Sequence, residues 1–218
     1  MKTHPMTDIF DLITEEYDSW YDSETGKPLY ESELHCLRPL IEGCLPPVLE
    51  VGVGTGRFAQ WFPGAIGIDT APNALRYAHR RRVRVVQATG EILPFRNETF
   101  GTIFIVLTLC FAKNPRAVLR EVKRVLKRKG SIVIGFIPKG SSWGTFYEEK
   151  KKRGHPVYSR ARFYSLEDLD NMLQLSGLAI SKVRSTLLQS PNRPPMFEKS
   201  VEGFVEGAGF LCVEAKKS

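Results

Sequence analysis

The stretch Val48-Leu49-Glu50-Val51-Gly52-Val53-Gly54-Thr55-Gly56-Arg57 holds the residues of this chain with the clearest capacity for chemistry. An apolar run carrying one acid, Glu50, stops at three glycines spaced two apart, and an amphipathic segment follows. That pattern reads as strand, tight turn and helix. Gly52 lets the backbone reverse, Gly54 removes the Cβ that would bar a ligand, and Gly56 lets the new helix sit close to the strand. Backbone N–H groups gathered at such a helix start suit an anionic or polar ligand group, with about 0.3–1 kcal/mol per charge from the helix dipole. A second acid, Asp69, closes the run Ile66-Gly67-Ile68, 17 positions after Gly52. A carboxylate at a strand tip can accept two hydrogen bonds from the vicinal hydroxyls of a ribose. The dinucleotide fingerprint Gly-x-Gly-x-x-Gly is not met, because Arg57 stands where its last glycine belongs.

These groups need elements to hold them. Residues 7–22 alternate at helical spacing, with Thr7 as a candidate cap and Ile9, Phe10, Ile13 and Tyr17 on one stripe. A second helix is expected over about 29–42, with Leu34, Leu37, Leu40 and Ile41 inward, His35 at its surface, and Pro46-Pro47 as its end. Further helices are expected at 72–82, from Pro115 to just before Gly130, at 142–152 and from Leu166 to Ser176, where Ser165 and Asp168 form a capping box. In the helix from Pro115, Arg116, Arg120, Lys123, Arg124 and Lys127 are expected to face water. Strands are expected at 83–87, 102–107 and 131–137, then at 178–187 and 210–215.

Glu50-Val51-Gly52-Val53-Gly54-Thr55-Gly56 resembles motif I of the class I S-adenosylmethionine-dependent methyltransferases, and Gly67-Ile68-Asp69 resembles the acidic motif after it. Glu91-Ile92-Leu93-Pro94-Phe95, Phe100-Gly101-Thr102-Ile103 and the segment from Leu119 to Gly130 resemble later motifs of the family, in order, so that the likeness covers about 48–137. The resemblance implies an α/β fold: a doubly wound, Rossmann-like, seven-stranded and mostly parallel sheet with an antiparallel terminal hairpin and a helical cap. Within that family the chain resembles the ubiquinone- and menaquinone-biosynthesis type that acts on small molecules. It also implies one domain, with 1–47 as an N-terminal helical lid, 48–137 as cofactor core, 138–164 as acceptor cap and 165–218 as C-terminal helix and hairpin.

The cofactor implied is S-adenosyl-L-methionine, released as S-adenosyl-L-homocysteine. Its expected contacts are Glu50, Gly52, Gly54, Gly56, Asp69, Thr70, Thr89, Gly90, Glu91, Ile92, Val106 and Leu107. Two departures stand out: Thr89 replaces an aspartate that many relatives offer the adenine amino group, and Gly101 replaces an acid at a strand start. Tyr17, Tyr21, Cys110, Phe111, Trp143 and Tyr147 are expected around the acceptor, though the N-terminal aromatics could equally hold a lid helix to the core. Methyl transfer from a sulfonium is an in-line displacement, so alignment at about 3–3.5 Å and exclusion of water do most of the work. His155, Tyr158 and Cys110 are the candidates for handling a proton, against the plainer view that they only shape a pocket.

Composition limits the partners. The 218 residues suffice for one core, and the four cysteines show neither a Cys-x-x-Cys pair nor metal-ligand spacing, so no metal is expected. No run of 18 apolar residues suggests a span, and a cytoplasmic monomer or homodimer is expected. The net charge of +7 keeps nucleic acid as an alternative partner to a small-molecule acceptor. An RNA- or protein-directed methyltransferase, or a cofactor-binding protein without activity, are the other classes in view.

Overall fold

In the computed structural model, which describes residues 9–43 and 45–218, the strands form one sheet ordered β3-β2-β1-β4-β5-β8-β6-β7. The expected cap Thr7 lies outside the described residues. The strands are β1 (Val48–Val51), β2 (Ile66–Asp69), β3 (Arg84–Gln87), β4 (Phe100–Val106), β5 (Leu126–Phe136), β6 (Leu178–Thr186), β7 (Val201–Glu202) and β8 (Phe210–Lys217). Pairing is parallel from β3 through β5 and antiparallel from β5 to β8, β8 to β6 and β6 to β7. The eighth strand, beyond the seven expected, is the two-residue edge β7.

The helices are α1 (Ile9–Leu12), α2 (Thr14–Trp20), α3 (Gly26–Ile41), α4 (Pro72–Arg80), α5 (Pro115–Val125), α6 (Ser142–Lys152) and α7 (Leu166–Leu175). Alternation along the strands sorts the core into two layers. Ile103, Ile105, Ile132, Ile134, Leu211 and Val213 pack with α5 and α7, whereas Phe104, Val106, Val133, Phe210 and Cys212 pack with α3 and α4. Three helix starts carry side-chain caps: Asn114 on α5, Ser141 on α6, and on α7 the expected capping box of Ser165 with Asp168.

Four expectations are corrected. No α-helix follows Gly56; Ala59–Trp61 is a single 3-10 turn. Pro63-Gly64 and the start of β2 at Ile66 leave too little chain for a crossover helix, and α3 covers that face of the sheet instead. Its Tyr30 hydroxyl donates to the Arg57 carbonyl at 2.6 Å and accepts the Trp61 indole N–H at 2.7 Å. The dipole shelf expected behind the glycines is therefore absent. Helix α5 also stops at Val125 rather than near Gly130, because Leu126 enters the strand opposite Phe100 and is wholly buried there. Arg124 does not face water: it binds Glu121 and the carbonyls of Leu93 and Phe95. His35 is half-buried and shares a 3.0 Å hydrogen bond with the Ser200 hydroxyl, which ties α3 to the segment that leads into β7. At Gly101 a Cβ would lie 2.2 Å from the Leu45 carbonyl oxygen, so the acid seen in other chains does not fit.

Candidate active site

The chain runs from β1 outward to β2 and β3, then returns to the other side of β1 for β4 and β5. Strand order thus reverses between β1 and β4, and the carboxyl ends of those strands open the crevice where α/β folds bind ligands. The N–H groups of Gly52 and Val53 both donate to the Ile68 carbonyl, at 2.9 and 2.8 Å, which seats the glycine turn against β2. Asp69 then reaches back: its Oδ2 accepts the Gly54 N–H at 2.8 Å and its Oδ1 accepts the Ala71 N–H at 3.0 Å.

All three glycines have positive φ, but their surroundings differ. A Cβ on Gly52 would lie 2.1 Å from Thr108 Cγ2, and one on Gly56 would lie 2.9 Å from the Ala78 Cα. Beside Gly54 nothing stands within 4 Å. Gly52 and Gly56 are packing requirements, and Gly54 is the open side from which a ligand meets the backbone.

Glu50 is buried beneath this turn. Its carboxyl takes the Ala59 N–H, while Oε2 has no partner among the described residues. Burial drives its pKa well above the ordinary value, and the charge of Asp69 adds to the shift. Thr89 caps its own loop by accepting the Glu91 N–H at 3.2 Å, and Ile92 stands 76% exposed beside it, available as an apolar surface. Thr70 is exposed next to Asp69. The Val106 side chain packs into the core near Gly135, so only its backbone reaches the crevice. Leu107 has φ of 53°, a strained setting held by its N–H to the Gly135 carbonyl at 2.8 Å.

The N-terminal segment closes over this region. Asp11 Oδ1 accepts the Asn73 N–H at 2.7 Å, and Phe10 meets Phe111 edge-on at 5.0 Å, so α1 spans from the start of α4 to the exit of β4. Arg57 binds Asp18 through Nε at 3.0 Å and Asp22 through Nη2 at 2.6 Å, while Arg81 adds a 2.9 Å bond to Asp18. Burial opposes the charge on Asp18, but hydrogen bonds from Arg57, Arg81 and Thr55 outweigh it and hold its carboxyl below the usual range. Arg57 and Arg81, to which no spacing in the sequence assigns a partner, together lock α2 onto the glycine turn.

Beyond Leu107 lies a cavity of about 620 Å³, bounded by α2, α3, the exit of β4, α6 and the 155–164 loop. It brings together Tyr17, Tyr21, Leu107, Cys110, Phe111, Trp143, Tyr147, His155 and Tyr158, all predicted site residues, and adds Glu33 and Lys150, which sequence reading missed. A signal for Glu33 was present: it lies four residues after Leu29 and four before Leu37, an acid on the buried stripe. The Tyr17 and Tyr21 hydroxyls are 2.8 Å apart, and Tyr147 packs on Tyr158 with centroids 4.5 Å apart. Burial pushes the Cys110 thiol up to about 12 and the Tyr158 phenol well above its ordinary value. Neither is ionised near neutral pH. The His155 ring is shifted the other way, by burial and then by the charge of Lys150, so it stays neutral and able to accept a proton.

Comparison with known proteins agrees with this arrangement. Residues 49–134 match a family model described as a methyltransferase domain. An uncharacterized protein of Mycobacterium tuberculosis is 43% identical over 91% of this chain and 70% of its own length. A crystal structure from Thermotoga maritima, described as an S-adenosylmethionine-dependent methyltransferase and possible histamine N-methyltransferase, superposes with a TM-score of 0.87 at 32% identity, covering 96% of this chain and 98% of that one. The chain belongs to the class I S-adenosylmethionine-dependent methyltransferases. A demethylmenaquinone methyltransferase of Thermotoga maritima, 30% identical over 61% of each chain, is a more distant relative. The methyltransferase uses S-adenosylmethionine as its donor, and the residues present fit that group: an open backbone position at Gly54, an ionisable carboxylate at Asp69 and an orphaned buried oxygen on Glu50. Among the described residues of this methyltransferase no cluster of side chains could hold a metal ion, and no helix is long and apolar enough to cross a membrane.

Proposed function

We propose that this methyltransferase acts on a small-molecule acceptor bound in the aromatic cavity, releasing S-adenosylhomocysteine. The observation that carries the reading is the cavity itself. Its volume of about 620 Å³ is that of a small-ligand site, and it is walled by lid, strand exit and cap together. The Thermotoga maritima relative described as a possible histamine N-methyltransferase supports the same size class. In this reading the chain works as one domain, with residues 1–47 as lid, 48–137 as cofactor core, 138–164 as cap and 165–218 completing the sheet.

S-adenosylmethionine, when bound, supplies a methyl carbon activated by a positive sulfur. The chain's own residues then have three tasks. Asp69 would turn from the Gly54 N–H to the ribose hydroxyls, with Gly52, Gly54 and Gly56 offering backbone and Glu50 its free oxygen; Thr70, Thr89, Gly90, Glu91 and Ile92 would flank the adenosyl group. Leu107, Cys110 and Phe111 would face the methyl carbon, and Tyr17, Tyr21, Trp143 and Tyr147 would hold the acceptor in line while excluding water. His155, neutral at pH 7, would take a proton from acceptors that must lose one.

Labelled methyl transfer screened across amines, thiols, phenols and quinols, beside mixed tRNA and peptides, tests the acceptor class. Label entering only RNA or peptide would overturn the small-molecule reading. For the donor contact, Asp69→Ala should weaken S-adenosylmethionine binding by about 1.5–3 kcal/mol, roughly ten- to a hundredfold, through loss of a charged acceptor. Unchanged affinity in calorimetry would remove Asp69 from the donor site.

A further inference from the structure

Glu33 is the one acid that α3 turns into the cavity, and its setting is unusual. The residue is only 5% exposed and lines the cavity, yet among the described residues it makes no hydrogen bond and no ion pair. Around it stand groups that are neutral at pH 7: Tyr17 and Tyr21 from α2, Tyr147 from α6, Tyr158 from the cap turn and Cys212 from β8, each sensing its charge. A buried carboxylate normally has a partner, because leaving it unpaired costs several kcal/mol. Here the described residues supply no such partner, and the space beside the carboxylate is the acceptor cavity.

The cavity wall also carries the opposite charge, on Lys150. Lys150 Nζ sits 4.5 Å from the centroid of the Phe146 ring and 5.6 Å from that of Tyr147. A cationic ligand group is repelled by Lys150 and drawn to Glu33, where tyrosine rings add their own attraction for cations. Resting on the small-molecule reading above, we propose that the acceptor carries an ammonium group, held in the cavity by the Glu33 carboxylate among the rings of Tyr17, Tyr21 and Tyr147. The ammonium has no lone pair while it is held, so the atom that receives the methyl group is a second, unprotonated atom of the same molecule. Glu33 is thus a specificity-determining contact.

Burial alone pushes the empty carboxyl of Glu33 up to about 8, so it is mostly protonated at pH 7. A bound ammonium requires the ionised form, and the carboxyl must then release a proton on binding at that pH.

Calorimetry on the protein loaded with S-adenosylhomocysteine decides the matter with two probes of equal shape, tryptamine and its neutral counterpart tryptophol. Tryptamine should bind at least tenfold more tightly than tryptophol. Runs in buffers of different ionisation enthalpy should show proton release with tryptamine alone. Glu33→Gln should cut tryptamine affinity tenfold or more, leave tryptophol within twofold, and leave both S-adenosylhomocysteine and S-adenosylmethionine binding unchanged. Equal affinity for the two probes, no release of protons, or no binding of either probe to a protein that binds S-adenosylhomocysteine would overturn the proposal and leave the methyltransferase reading standing. A Glu33→Gln protein that loses S-adenosylmethionine as strongly as tryptamine would also overturn it, by assigning the carboxylate to the donor. Should that variant fail to fold, the two wild-type comparisons still decide.

Discussion

Arg57→Met tests how the lid is fastened to the cofactor turn. The side chain of Arg57 is 10% exposed and holds two carboxylates at once: Asp18, also 10% exposed, and Asp22, 70% exposed. The Asp22 contact lies in water and is worth at most about 1 kcal/mol. Removing one partner of a buried pair costs about 3–5 kcal/mol, but Arg81 still holds Asp18 at 2.9 Å, which lowers the loss. The expected destabilisation is therefore about 2–4 kcal/mol, or roughly 4–16 °C in Tm for a chain of this size. Asp22→Ala should cost under about 1 kcal/mol. Asp18→Asn, which leaves Arg57 and Arg81 facing each other, should resemble Arg57→Met, and the double variant should lose less than the sum of the two. Thermal denaturation of all four proteins, with hydrogen exchange at α2, measures this. Because the Asp18 pKa is depressed in the folded protein, its stabilisation is present in full above the unfolded value of 3.8 and disappears as pH falls through the lower folded value. An Arg57→Met protein melting within 2 °C of the parent, or a lock that weakens between pH 7 and 5, would refute the buried-pair account.

Two other perturbations separate packing from binding. Gly56→Ala places a Cβ 2.9 Å from the Ala78 Cα at a φ of 82°, and should cost more than about 2 kcal/mol in urea denaturation. Gly54→Ala meets open space and should cost only about 1–2 kcal/mol in stability, yet it should weaken S-adenosylmethionine binding in calorimetry. With His155 as proton acceptor, kcat/KM for an acceptor that must lose a proton should fall as pH drops through a value below 6.5. Burial and then Lys150 depress that value, Glu16 raises it, and His155→Gln should flatten the limb.

Local chemistry was the part of the structure that the sequence expressed openly. Asn114, Ser141 and Ser165 cap their helices through contacts three residues away, and the parallel strands read as apolar runs because both of their faces are covered. The glycine turn and Asp69 were legible because backbone reversal and a strand-tip carboxylate each require particular residue types. What sequence reading missed depends on partners far along the chain. Arg57 meets Asp18 across 39 positions and Arg81 meets it across 63, so no spacing rule pairs them. Gly56 resembled the start of a helix, and only the early Pro63-Gly64 and the prior claim of α3 on that face prevent one. Glu33 lay in plain view on an apolar stripe, yet its meaning depends on the tyrosines that the fold gathers around it.

The short connection after the glycine turn alters what the N-terminal residues are for. In place of a crossover helix, the turn takes its support from two aspartates contributed by residues 18 and 22. A fragment starting after residue 25 would keep every strand of the sheet while two guanidinium groups lost the counter-charge between them. Such trimming should therefore cost nucleoside capture and acceptor binding together, because Tyr17 and Tyr21 leave the cavity wall with the two aspartates.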